Sequence, residues 1–136
     1  LKDDEQTAPE PVLRGFAVLL ESVRLAIAAI RPGKKGFEID RIAREHIIAN
    51  GYPEYQHGLG HQVGRSTHDG AGMLGPRWER YGETVNLPLE IGQVFTIEPR
   101  LPIEGYGVAT VEEMVVITAT GCEYLSHPQE ILYYSR

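Results

Sequence analysis

The chain is 136 residues long, enough for one domain with a real core and no need of disulfides or a structural metal. Hydrophobic residues at 42% and charged residues at 24% exclude disorder, collagen and coiled coil, and a formal charge of −6 disfavours a nucleic-acid partner. One cysteine, Cys122, makes no internal disulfide and fits a reducing compartment such as the cytoplasm, while no apolar run is long enough to predict a membrane span.

The polar, acidic start does not read as a secretory signal, and its first residue, Leu1, suggests a processed chain or a fragment. Over residues 12–30, Val12, Phe16, Leu19, Leu20, Val23, Ile27 and Ile30 recur in steps of three and four, which predicts one apolar stripe on a helix. Thr7-Ala8-Pro9-Glu10 reads as a capping box before it, and Arg31-Pro32-Gly33 as its stop. A second helix is expected over residues 37–49, with Ile39, Ile42, Ala43, His46 and Ile47 inward and Asn50-Gly51 closing it. His46 on that face reads as a core histidine rather than a ligand.

Beyond Gly51 the texture turns to short β-prone pieces and glycine turns, with no break that marks a second domain. Helices followed by strands predict an α+β fold. Strands are expected at 93–98, 108–118 and 123–125, and the glycine-rich stretch 70–92 is expected as a long functional loop.

Three of the five histidines, His57, His61 and His68, fall within twelve residues. Gly58, Gly60 and Gly64 disfavour a helix there and suit a backbone that passes close to another group. On an extended segment the spacing of His57 and His61 puts both rings on one side. Alternation in 93–98 places Thr96 and Glu98 on a polar face and Phe95 and Ile97 on the core face. In 108–118 it places Thr110, Glu112 and Met114 together, opposite Val111, Val115 and Ile117. Glu113 then faces the apolar side and needs a basic partner or a sheet edge. Two glutamates, each two residues after a threonine, beside clustered histidines favour a hard-metal site with oxygen and nitrogen ligands.

His57-Gly58-Leu59-Gly60-His61, His68-Asp69, Thr96-Ile97-Glu98-Pro99 and Val111-Glu112-Glu113-Met114, in that order, resemble the M24 metallopeptidase family, which includes prolidase, aminopeptidase P and methionine aminopeptidase. The resemblance spans about Pro9 to Tyr134, and His57 is similar to the Xaa-Pro branch, Xaa-Pro dipeptidase and aminopeptidase P. It implies a pita-bread α+β fold and a pair of divalent metals held by two Asp, one His and two Glu. Manganese is expected, with cobalt or zinc as alternatives. Carried over by motif, His61 and Glu98 would bind one metal and Glu112 would bridge both. A metal-bound hydroxide would attack the peptide bond before proline, with Glu98 moving the proton and His57 and His68 hydrogen-bonding substrate.

Two departures qualify that implication. An arginine often precedes the bridging glutamate by two residues, and Thr110 stands there. The family's two aspartates come before the first long helix, where this chain offers only Asp3 and Asp4 in a polar run, and neither is assigned as a ligand. The chain, residues 1–136, is therefore expected to be the C-terminal part of a catalytic domain, a truncated pita-bread fold holding at most one ion weakly and inactive alone. Uncovered strand edges then predict self-association into a homo-oligomer. The rival expectation is a peptide- or protein-binding module that keeps the scaffold without catalysis.

Overall fold

In the computed structural model, which describes residues 7–133, the apolar stripe of the first segment forms helix α1, Glu10–Ala29. Phe16, Leu19, Leu20, Val23 and Ile30 are buried, while Val12 and Ile27 lie at the margin of the core. The N-cap is Pro9, two residues after the Thr7 from which the sequence predicts the helix to start. Pro11 in that turn lacks the N–H that would need capping. Helix α2, Gly36–Ala49, begins with a Glu38 carboxylate that accepts the Lys35 N–H at 2.8 Å. It ends at Asn50, and Gly51 follows with a φ of +88° that only glycine adopts freely. Asp3 and Asp4 lie outside the described residues.

The strands are β1 Gly60–Val63, β2 Met73–Leu74, β3 Val94–Ile97, β4 Arg100–Ile103, β5 Gly107–Thr110, β6 Glu113–Ile117 and β7 Cys122–Tyr124. They form an antiparallel five-stranded sheet in the order β2-β1-β3-β6-β7 and a separate hairpin, β4-β5. The apolar faces of both helices share one core with Phe95, Ile97, Val115 and Ile117 of the sheet and Leu101 and Ile103 of the hairpin, with α1 against the hairpin and α2 against β2. Gly15 lets β4 approach α1, because a Cβ there would lie 2.8 Å from Ile103 Cδ1. Among the described residues no helix is long and apolar enough to cross a membrane.

Several expectations need correction. The strand expected over 108–118 is two strands, broken at Val111 and Glu112. The same antiparallel register nevertheless runs from β3–β6, where Ile97 pairs Glu113, into β4–β5, where Arg100 pairs Thr110. The interruption coincides with Pro99, which has no N–H to give the ladder. The stretch 70–92 is not bare loop but contains β2 and two 3-10 turns, Glu79–Tyr81 and Thr84–Asn86. Thr96 is buried, as Phe95 and Ile97 are, so at this position the polar face is covered rather than open to solvent. Glu113 is buried as expected, yet its partner is neither a base nor an edge: Glu113 Oε1 accepts the Gln129 N–H at 2.7 Å. On α2, Ile42 and His46 are only half-buried, while Asp40 and Arg44 are buried.

Candidate active site

The interrupted register sets the position of two carboxylates. Glu98 follows β3 and Glu112 precedes β6, so they stand opposite one another where the chain leaves the five-stranded sheet for the hairpin and returns. Strand β1 brings the histidines to the same end. A Cβ on Gly60 would collide with the Thr96 carbonyl, so glycine there permits β1 to lie this close to β3. The buried Thr96 hydroxyl accepts the His61 N–H at 3.0 Å, and the Glu98 N–H donates to the Leu59 carbonyl at 2.7 Å.

These segments enclose a cleft of about 440 Å³ lined by His57, His61, His68, Glu98, Arg100 and Glu112, among others. All five side chains singled out in the sequence thus reach one cavity. His61 Nε2 lies 3.7 Å from Glu98 Oε1, and the His61 and His68 rings are 4.2 Å apart between centroids. His68 and Glu112 are exposed, whereas His57, His61 and Glu98 are half-buried. Burial pushes the Glu98 carboxyl up from its ordinary value, and the charge of Glu112 adds to the rise; His61, His57 and Arg100 oppose it. A carboxyl so placed takes up a proton more readily than a free glutamate.

The two inner imidazoles share one arrangement. His57 Nδ1 sits 2.7 Å from the Gly58 carbonyl and His61 Nδ1 3.1 Å from the Gln62 carbonyl. A carbonyl only accepts, so Nδ1 carries a proton in each ring and Nε2 is the nitrogen left for a further contact. For His57 that atom is buried with no hydrogen-bond partner among the described residues.

Imidazole and carboxylate are the donors a divalent cation takes. Among the described residues, however, no group of three or more His, Cys, Asp or Glu is disposed to hold a metal ion. His61 and Glu98 come close, but Glu112 does not complete a set with them, so the described residues do not form a metal centre by themselves. The geometry shows a cleft lined by proton-accepting and hydrogen-bonding side chains.

Some residues of the site escaped sequence reasoning. Arg100 lines the cleft directly across from Thr110, where an arginine was missed in the motif. Asp40 and Arg44 lie behind the histidines and hold their segment. Their signal was available: an i, i+4 acid–base pair interleaved with the core positions Ile39, Ala43 and Ile47. The long stretch expected as a functional loop also contributes, because Tyr81 accepts the Gly58 N–H at 2.8 Å.

The likenesses to known proteins agree with this architecture. The sequence model of Metallopeptidase family M24 matches residues 5–119. An Xaa-Pro dipeptidase of Pyrococcus furiosus is 38% identical over 118 residues, covering 86% of this chain and 32% of that protein. An X-Pro aminopeptidase from Thermotoga maritima superposes with a TM-score of 0.79 at 32% identity, over 91% of this chain and 34% of its own. Prolidase from Pyrococcus furiosus gives 0.79 at 32% identity, over 92% and 35%. The chain therefore has the α+β pita-bread architecture in part, and spans about a third of the length of these relatives.

Proposed function

The chain belongs to metallopeptidase family M24, and from that membership we propose that it is the C-terminal part of an Xaa-Pro peptidase catalytic domain. The observation that carries the proposal is the meeting of His61 Nε2 and Glu98 Oε1 at 3.7 Å in the cleft that Glu112 also lines. In this reading His61, Glu98 and Glu112 are the chain's share of ligands for a divalent ion, manganese before cobalt or zinc. The ion supplies Lewis-acid chemistry when the donor set is complete. With no complete donor set among the described residues, the chain alone is proposed to be inactive toward peptides.

The remaining roles belong to the chain's own groups. Glu98, with its carboxyl pushed up, holds the proton that the leaving nitrogen needs. His57 has a desolvated Nε2 with no partner among the described residues, which suits a hydrogen bond to the substrate backbone, and His68 offers a second contact from the exposed rim. The substrate class is a short peptide with proline after the scissile bond, following what the relatives named above are called. The hairpin leaves Tyr106 and Val108 exposed, and a second copy covering them is the proposed assembly. Sedimentation of a monomer at high concentration would reject that assembly.

A second reading, a peptide-binding module without catalysis, is favoured by the absence of a three-donor group among the described residues. One titration separates the possibilities. Alanyl-proline added to the isotope-labelled chain is expected to shift the resonances of His57, His61 and Glu98 more than alanyl-leucine does. Equal shifts with both peptides favour the module, and no shift at the cleft by either defeats the peptidase reading.

A further inference from the structure

The segment that carries His57 is secured in an unusual way. Residues 55–59 precede β1, and each has a backbone group bonded to a side chain from elsewhere in the chain. The Tyr55 and His57 carbonyls accept from Arg44 Nη1 and Nη2, both at 2.7 Å. The Gln56 carbonyl accepts from Arg80 Nη2, the Gly58 N–H donates to Tyr81 Oη, and the Leu59 N–H donates to Asp40 Oδ1 at 2.9 Å.

Arg44 is the centre of this arrangement. Its Nε and Nη2 meet Asp40 Oδ2 and Oδ1, each at 2.7 Å, and Nη1 also reaches Glu54 Oε1 at 3.2 Å. Five acceptors thus match the five N–H donors of one guanidinium. The side chains of Arg44 and Asp40 are only 7% and 1% exposed, and the guanidinium lies 4.0 Å from the centre of the Tyr55 ring. Burying an ion pair contributes little net stability, because desolvation offsets most of the attraction. What this pair does secure is direction: the carbonyl on one side of the His57 ring and the amide two residues further on are both fixed to the same two side chains.

We propose that Arg44, locked to Asp40, is a positioning residue that fixes the orientation of the His57 ring in the wall of the cleft, with Tyr81 as a second clamp at Gly58. The consequence for catalysis rests on the reading of His57 as a substrate contact; the positioning itself does not. Lysine at 44 would keep the charge but has no planar fork to reach three backbone and carboxylate partners at once. Arg44, Asp40 and Tyr81 stand behind the residues that line the cleft rather than among them.

The test uses the chain labelled with nitrogen-15, in wild-type form and as Arg44→Lys and Tyr81→Phe. Ring nitrogen–proton spectra and amide hydrogen exchange are read for each. In the wild type, neutral His57 is expected in the Nδ1–H tautomer. Arg44→Lys is expected to mix its tautomers and to speed exchange at Leu59 by about tenfold or more. Tyr81→Phe is expected to speed exchange at Gly58 and move the His57 ring signals, with α1 amides, the His46 ring and the melting temperature nearly unchanged. That last pattern separates aiming from general support of the fold. Wild-type His57 spectra in a folded Arg44→Lys chain would overturn the proposal. If that variant does not fold, an unchanged His57 ring in Tyr81→Phe overturns it instead. Alanyl-proline added to the wild type reads the other question: a clamp that behaves as expected beside a cleft that ignores the peptide leaves positioning intact and defeats the peptidase reading.

Discussion

On one wall of the cleft His57 and His61 are held from behind, by the buried Asp40–Arg44 pair, by Tyr81 and by the Thr96 hydroxyl. On the opposite wall Glu98 and Glu112 stand where the β3–β6 ladder opens toward the hairpin, and Glu112 is exposed. The histidine wall is preorganised by polar side chains from α2, β3 and the 79–81 turn, whereas the carboxylate wall is placed by backbone register. A site divided in this way should respond very differently to substitutions on its two sides.

The largest effect is expected from Arg44→Met, which leaves the Asp40 carboxylate buried without its partner. Urea denaturation should show a loss of about 3–5 kcal/mol, and a loss below about 1 kcal/mol would mean that the histidine wall is not held by this pair. Gly60→Ala forces a methyl against the Thr96 carbonyl and should cost about 1–3 kcal/mol. Its amide spectrum should change along β1 and β3 but not in α1. Thr96→Val removes the acceptor of the His61 N–H and should cost about 1–2 kcal/mol, read by the same denaturation.

Substitutions on the carboxylate wall should act mainly through pH. The Glu98 carboxyl is raised above 4.5, so its protonated form is favoured by folding. Its stabilising contribution is present below the ordinary carboxylate range and is lost as pH rises through the raised value. Glu98→Gln should therefore melt higher than the wild type at pH 7, with the gain vanishing in acid. An equal gain at every pH would remove charge burial as the cause. The smallest effect belongs to Glu112→Gln, within about 0.5 kcal/mol in stability. It should still lower the Glu98 pKa toward its ordinary value, as nuclear magnetic resonance titration of that carboxyl would show.

The contrast between the walls also explains what could be read from the sequence. The α1 stripe was legible because helical period and burial agree from Phe16 to Ile30. The five cleft residues were legible because the glycine spacing and the ordered motifs are local. The break between β5 and β6 was not, since alternation carries on through Val111 and Glu112 while the ladder stops near Pro99, some distance away in sequence. Thr96 read as polar-faced because pattern alone cannot show that a hydroxyl is buried to receive a backbone N–H. The clamp was invisible for a related reason: Arg44 and Tyr81 act on residues 55–59 from 11 to 23 positions away.

Titration of manganese into the chain, followed by water-proton relaxation, tests most directly whether His61, Glu98 and Glu112 are part of one cation site. The account predicts weak binding of no more than one ion, lost in His61→Ala. Equal binding by both forms, or tight binding of two ions, would contradict it.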